Sequence, residues 1–205
     1  MSKVHVVGGN GTIEKMFVDR GWKLTNYPFE ADLVQFTGGE DVAPQLYGES
    51  LHPKTYSGRA RDTKEVYLFT ILRRANKPMA GICRGAQFLN VMCGGKLYQH
   101  VDKHAIQGTH LMVTPMGESI PVTSTHHQMM RPDYETCSVL GTAKEASFRE
   151  YMIGDKIIRE DSIGADVEAV YYPRDRVICY QPHPEYLDRD HPCQEYYFEL
   201  LKYIA

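Results

Sequence analysis

Five positions constrain this chain more than any others: Gly81-Ile-Cys-Arg-Gly85, which ends the apolar run that starts at Lys77. A glycine two residues before Cys83 and another two after it form the Gly-x-nucleophile-x-Gly pattern of a nucleophile elbow, with cysteine in place of serine. In such a turn the nucleophile takes a strained backbone conformation, and its neighbours lack a Cβ so that strand and helix can approach closely. The spacing therefore predicts a strand ending at Cys83, a helix starting near Arg84 and a thiol directed outward. Unpaired N–H groups and the positive end of the helix dipole favour the thiolate there. The N–H of Arg84 is free to act on a developing oxyanion.

The rest of the chain alternates in a way that suits this turn. Residues 4–7 form a β-branched run ending at Gly8-Gly-Asn-Gly11, and Ile13, Met16 and Phe17 follow at helical spacing. These glycines lack the full G-x-G-x-x-G pattern of a dinucleotide site, so a tight turn between strand and helix is expected. Leu33-Val-Gln-Phe36 reads as a second buried strand, delivering Gly38 and Gly39 to its end. Gly39 is a candidate second oxyanion donor, because glycine lets an amide approach a ligand closely. A long polar loop runs to residue 60, and Asp62 is expected to cap a helix carrying Val66, Phe69 and Leu72.

After the helix ending near Gly94, short candidate strands at 111–114, 120–123, 138–143, 156–158 and 169–172 predict an antiparallel extension. Val177-Ile-Cys-Tyr180 is the last apolar strand, and Tyr197, Leu200, Leu201 and Ile204 share a face of a closing helix. The pattern predicts an α/β fold: an open, mostly parallel, doubly wound sheet with helices on both faces and an antiparallel β extension. At 205 residues, with 42% hydrophobic and 24% charged residues, a single domain over 1–205 is expected. A net charge of -3 offers no general attraction to nucleic acid. No run approaches transmembrane length, and the N-terminus lacks a long apolar signal core. Five cysteines without a C-x-x-C point to neither a disulfide framework nor a zinc ribbon, which fits a reducing, cytoplasmic setting.

A thiolate nucleophile needs a base within hydrogen-bond reach and a group to orient that base. His183 and Glu185, in Gln181-Pro-His-Pro-Glu185 at the end of the last strand, are the candidates. Two residues apart in an extended segment, they would project to one side and reach Cys83 where open α/β sheets bind ligands. A competing metal site is suggested by His100, Asp102, His104 and His110. Gly108 and the absence of helical periodicity argue against it, and no metal or other cofactor is expected.

The combination of Cys83 in Gly81-Ile-Cys-Arg-Gly85 with the His183/Glu185 pair resembles the class I glutamine amidotransferases, whose triad is Cys-His-Glu on a flavodoxin-like α/β fold. Within them the chain is similar to the γ-glutamyl hydrolase branch (peptidase C26), which includes γ-glutamyl-γ-aminobutyrate hydrolases. Thr37-Gly-Gly-Glu-Asp-Val-Ala-Pro-Gln-Leu-Tyr-Gly-Glu49, Arg61-Asp62 and Ser124-Thr-His-His-Gln128 look like that branch's motifs. The resemblance implies a glutamyl-binding role for Gln87, oxyanion donors at Gly39 and Arg84, and substrate binding by His127 and Gln128. It implies hydrolysis of a small-molecule γ-glutamyl amide through a γ-glutamyl thioester. The chain's length is also that of a free-standing glutaminase subunit, which would pass ammonia to a separate synthetase partner chain.

Overall fold

The computed structural model describes residues 1–161 and 165–204. In chain order the elements are β1 (Lys3–Val6), α1 (Gly11–Asp19), β2 (Lys23–Leu24), β3 (Leu33–Phe36), α2 (Arg59–Arg74), β4 (Met79–Ile82), α3 (Arg84–Met92), β5 (Lys96–Tyr98), β6 (His100–Val101) and β7 (Ala105–Val113). They continue with β8 (Ser119–Thr125), β9 (Met129–Arg131), β10 (Ser138–Ala143), β11 (Phe148–Ile153), β12 (Lys156–Asp161), β13 (Val167–Tyr172), β14 (Val177–Tyr180) and α4 (Pro192–Leu201).

The main sheet runs β2-β1-β3-β4-β14-β13-β10-β7-β8, with β5 and β9 attached through β13. Its first five strands are parallel, and β13 begins the antiparallel half. All residues of β3, β4 and β14 are buried, as expected of strands covered on both faces. One cover is α1 and α4, through Phe17, Tyr197 and Leu200; the other is α2 and α3, through Phe69, Leu72, Phe88 and Leu89. The doubly wound, mostly parallel α/β architecture with an antiparallel extension is the one the alternation predicts.

The structure corrects two local expectations. The region after β5 is not one continuous extension: β12, β11 and β6 form a separate three-stranded sheet. Helix α2 starts at Arg59 behind Gly58, so Asp62 is not its N-cap. Its carboxylate turns inward instead, where it accepts from the Ala43 N–H (3.0 Å) and pairs with Arg84. At the N-terminus Asn10 caps α1, accepting from the amides of Thr12 (3.2 Å) and Ile13 (3.1 Å), so the glycine-rich run before it is a turn.

Strand register sets the site. Ile82 of β4 lies opposite Tyr180 of β14, and Gly81 opposite Phe36 of β3. Cys83, the segment after Tyr180 and the Gly38-Gly39 turn therefore leave the sheet level with one another, at the carboxyl ends of parallel strands.

Candidate active site

Cys83 joins β4 to α3 at φ 51°, ψ −113°. This is a sparsely populated conformation for a residue with a side chain and costs on the order of 1–3 kcal/mol. The flanking glycines make it possible. A Cβ on Gly85 would lie 2.5 Å from the Phe36 carbonyl oxygen, and one on Gly81 would lie 2.5 Å from the Ala86 nitrogen. Helix α3 thus begins directly against β3 and β4, a closeness that only glycine permits. Hydrogen bonds from Cys83 N to Tyr180 O (2.9 Å) and from Gln87 N to Cys83 O (3.0 Å) fix the turn. The cysteine keeps 8% of its surface exposed.

His183 stands beside it. Its backbone N–H donates to Thr123 Oγ1 (2.7 Å), and its ring stacks on Tyr186 with centroids 4.6 Å apart. Nδ1 lies 2.7 Å from Glu185 Oε1, and the Cε1–Nε2 edge of the ring borders the same point beside Gly38 as Cys83 does. Burial alone would push the imidazole's pKa down. The neighbouring Cys83 and Glu185 side chains outweigh it and raise the pKa to about 10. The charged form of the imidazole is thereby favoured, which suits a partner for a thiolate. The pair is not carried by an extended segment, since Pro184–Tyr186 is a single 3-10 turn. That turn folds the Glu185 carboxylate back onto the histidine.

The Gly38-Gly39 turn closes the third side. A Cβ on Gly38 would meet His183 Cε1 at 2.9 Å and Cys83 Cβ at 3.7 Å, and Gly39 has φ 143°. Arg61 pins this turn, donating from Nη1 to Gly38 O (2.8 Å) and from Nη2 to Thr37 O (2.9 Å). Its Nε bonds Glu65 Oε1 (2.7 Å), while Glu65 and Asp62 both pair with the buried Arg84 guanidinium. Arg84 thus has two distinct faces. Its amide lies at the first position of α3 after Cys83, and its side chain locks α3 to α2 and, through Arg61, to the glycine turn. Sequence reasoning missed this network; its trace is the four-residue spacing of Arg61 and Glu65.

The remaining candidates are arranged behind this group. Gln87 is buried, and its Nε2 donates to Gln128 O and Gln181 Oε1, both at 3.1 Å. Gln128 donates to Thr55 Oγ1 (3.0 Å) and Gln99 O (3.3 Å), tying the long loop down. His127 is half-buried against Asp41 Oδ1 at 3.1 Å. Of the histidines weighed as metal ligands, His104 and His110 come together and His100 does not: its ring packs against His52 and Phe148.

Comparison with known proteins gives a consistent result. The family model described as Peptidase C26 matches residues 23–141. The chain is 36% identical over 177 residues to the glutamine amidotransferase-like protein YvdE of Lactococcus lactis subsp. lactis, covering 82% of this chain and 72% of that protein. Among solved structures, a chain of PurLQS from Thermotoga maritima superposes with a TM-score of 0.63 at 17% identity over 98% of both chains. A glutamine amidotransferase from the same organism gives 0.58 at 15% identity, over 90% of this chain and 76% of that one.

Proposed function

The chain belongs to the Peptidase C26 family of glutamine amidotransferase-like proteins, and from that premise we propose that it is a cysteine-dependent amidohydrolase cleaving the γ-glutamyl amide bond of glutamine or a γ-glutamyl amine. One observation carries the reading: His183 holds Glu185 on Nδ1 and stands beside Cys83 at the carboxyl ends of β4 and β14.

In this mechanism the Cys83 thiolate attacks the δ-carbonyl, forming an S–C bond and moving negative charge onto oxygen. The amides of Arg84 and Gly39 receive that charge; removal of one such donor costs about 3 kcal/mol in enzymes where it has been tested. His183, already protonated, gives its proton to the departing nitrogen as the C–N bond breaks and the amine leaves. The now neutral imidazole takes a proton from water. The resulting hydroxide equivalent attacks the thioester, and sulfur leaves as thiolate with glutamate as product. Glu185 holds Nδ1 throughout and stabilises the imidazolium at both steps. Gln87, His127 and Gln128 would orient the glutamyl group and the amine beside it. The steps require no metal.

A second reading is a glutaminase subunit passing ammonia to a separate synthetase, supported by the superposition on a chain of PurLQS. A substrate panel separates the two. Purified protein is given glutamine and several γ-glutamyl amines, and glutamate release is followed. Turnover of γ-glutamyl amines with bulky leaving groups supports the hydrolase. Glutamine turnover that needs a second protein supports the subunit, and no release from any γ-glutamyl compound under either condition refutes both.

A further inference from the structure

Away from the triad, two histidines of the 100–110 run meet His126 and Glu168 in the interior. His104 Nδ1, His110 Nε2 and His126 Nε2 lie 3.4, 3.0 and 3.8 Å from a single atom, Glu168 Oε1. One ligand atom from each of His104, His126 and Glu168 can be chosen with all three within 4.8 Å of one another. In a tetrahedral site with bonds near 2.05 Å, neighbouring ligand atoms sit about 3.4 Å apart, and the three distances bracket that value.

The opposite ring nitrogens are already engaged. His104 Nε2 lies 2.9 Å from Asp166 Oδ2, and His126 Nδ1 lies 2.9 Å from the carbonyl oxygen of Gln128. A carbonyl only accepts, so His126 Nδ1 carries the hydrogen and its Nε2 turns a lone pair toward Glu168. The carboxylate of Asp166 selects the same arrangement for neutral His104, leaving Nδ1 as a lone pair. None of the three inward nitrogens, nor either oxygen of the fully buried Glu168, has an aligned hydrogen-bond partner. With lone pairs of His104 and His126 turned toward it, the buried Glu168 carboxylate is left uncompensated unless a proton or a metal cation lies among them. Far nitrogens held by a carboxylate and a backbone carbonyl are how proteins orient histidines toward metals.

We propose that His104, His110, His126 and Glu168 hold a divalent transition-metal cation, with zinc as the cation suited to three imidazoles and one carboxylate. His104, His126 and Glu168 form the core of the site, and His110, 3.0 Å from the same Glu168 oxygen, would complete four protein ligands on binding, the coordination of a structural site. It would join β7, the turn after β8 and β13. Those elements flank His183: Thr123 of β8 receives its backbone N–H, and Glu168 O of β13 accepts from Gln181 N at 2.8 Å. Entry is through a surface pocket of about 480 Å³ lined by His104, His110, Lys103, Thr109, Lys144 and Glu145.

The test uses full-length protein carrying Cys83→Ala, which removes the active-site thiol as a competing ligand. The protein is stripped with a chelator, dialysed and titrated with zinc chloride against a chromophoric competitor, and metal is counted by mass spectrometry. The proposal expects one equivalent of zinc, a rise in Tm on binding, and a tetrahedral visible spectrum when cobalt(II) replaces zinc. Glu168→Gln and His126→Gln should each weaken binding at least ~tenfold. Should those variants fail to fold, His110→Gln, at the pocket edge, carries the same expectation. Absence of stoichiometric uptake, or equal uptake by the folded histidine variants, would overturn the assignment and leave a hydrogen-bonded network only. Neither outcome depends on turnover at Cys83.

Discussion

In the proposed reaction at Cys83 the leaving amine takes its proton from His183. Its pKa, raised to about 10 by Cys83 and Glu185 against the opposing effect of burial, predicts that kcat/KM for a γ-glutamyl amide falls on a basic limb near that pH, where the leaving amine loses its acid. In Glu185→Gln that limb should move to lower pH, because one of the charges holding the proton is gone; a pH–rate profile reads both. Folding is linked with the same sign. A histidine whose native pKa lies above its unfolded value stabilises fully below about 6.5, and that contribution is lost as pH rises through the native value. Cys83→Ser should abolish glutamate release while circular dichroism and Tm remain those of a folded protein, and unchanged turnover would exclude Cys83 as the nucleophile.

The elements of the proposed site are braced from behind by the pairing of Arg84 with Asp62 and Glu65. Arg84 is buried between Asp62 and Glu65, so replacing it with methionine strands two carboxylates and should cost about 3–5 kcal/mol in urea unfolding. Its backbone amide would remain at the start of α3, which separates the loss of stability from the loss of the proposed oxyanion donor. Gly38 is a different case. A methyl group there would press on His183 Cε1 at 2.9 Å, so Gly38→Ala should lower kcat by at least ~tenfold, as misplacement of a reacting group does, with Tm changed far less than in the arginine variant. Steady-state kinetics and thermal melts on one preparation check both outcomes.

Across the whole molecule, stability comes from two cores on opposite faces of the sheet. Phe17 packs in one and Phe69 in the other, both essentially without exposure. Each truncated to alanine should cost about 3–5 kcal/mol. The two sites are separated by the sheet, so the double variant should equal the sum within about 0.5 kcal/mol in denaturant titrations. Among the described residues no helix is long and apolar enough to cross a membrane.

The parallel half of the sheet and the elbow at Cys83 were legible in the sequence, since their signals are local: four-residue apolar runs, helical spacing of Ile13, Met16 and Phe17, and two glycines whose missing Cβ atoms the close packing of α3 requires. The pairing of His183 with Glu185 was legible too, though the 3-10 turn that achieves it was not. Three features came only from tertiary structure. The separate sheet of β6, β11 and β12, the inward turn of Asp62 onto Arg84, and the meeting of His104, His110, His126 and Glu168 all join residues far apart in the chain. Composition and periodicity record what each segment buries. Which distant charge or ring it buries against is fixed only when strand order and register bring the partners together.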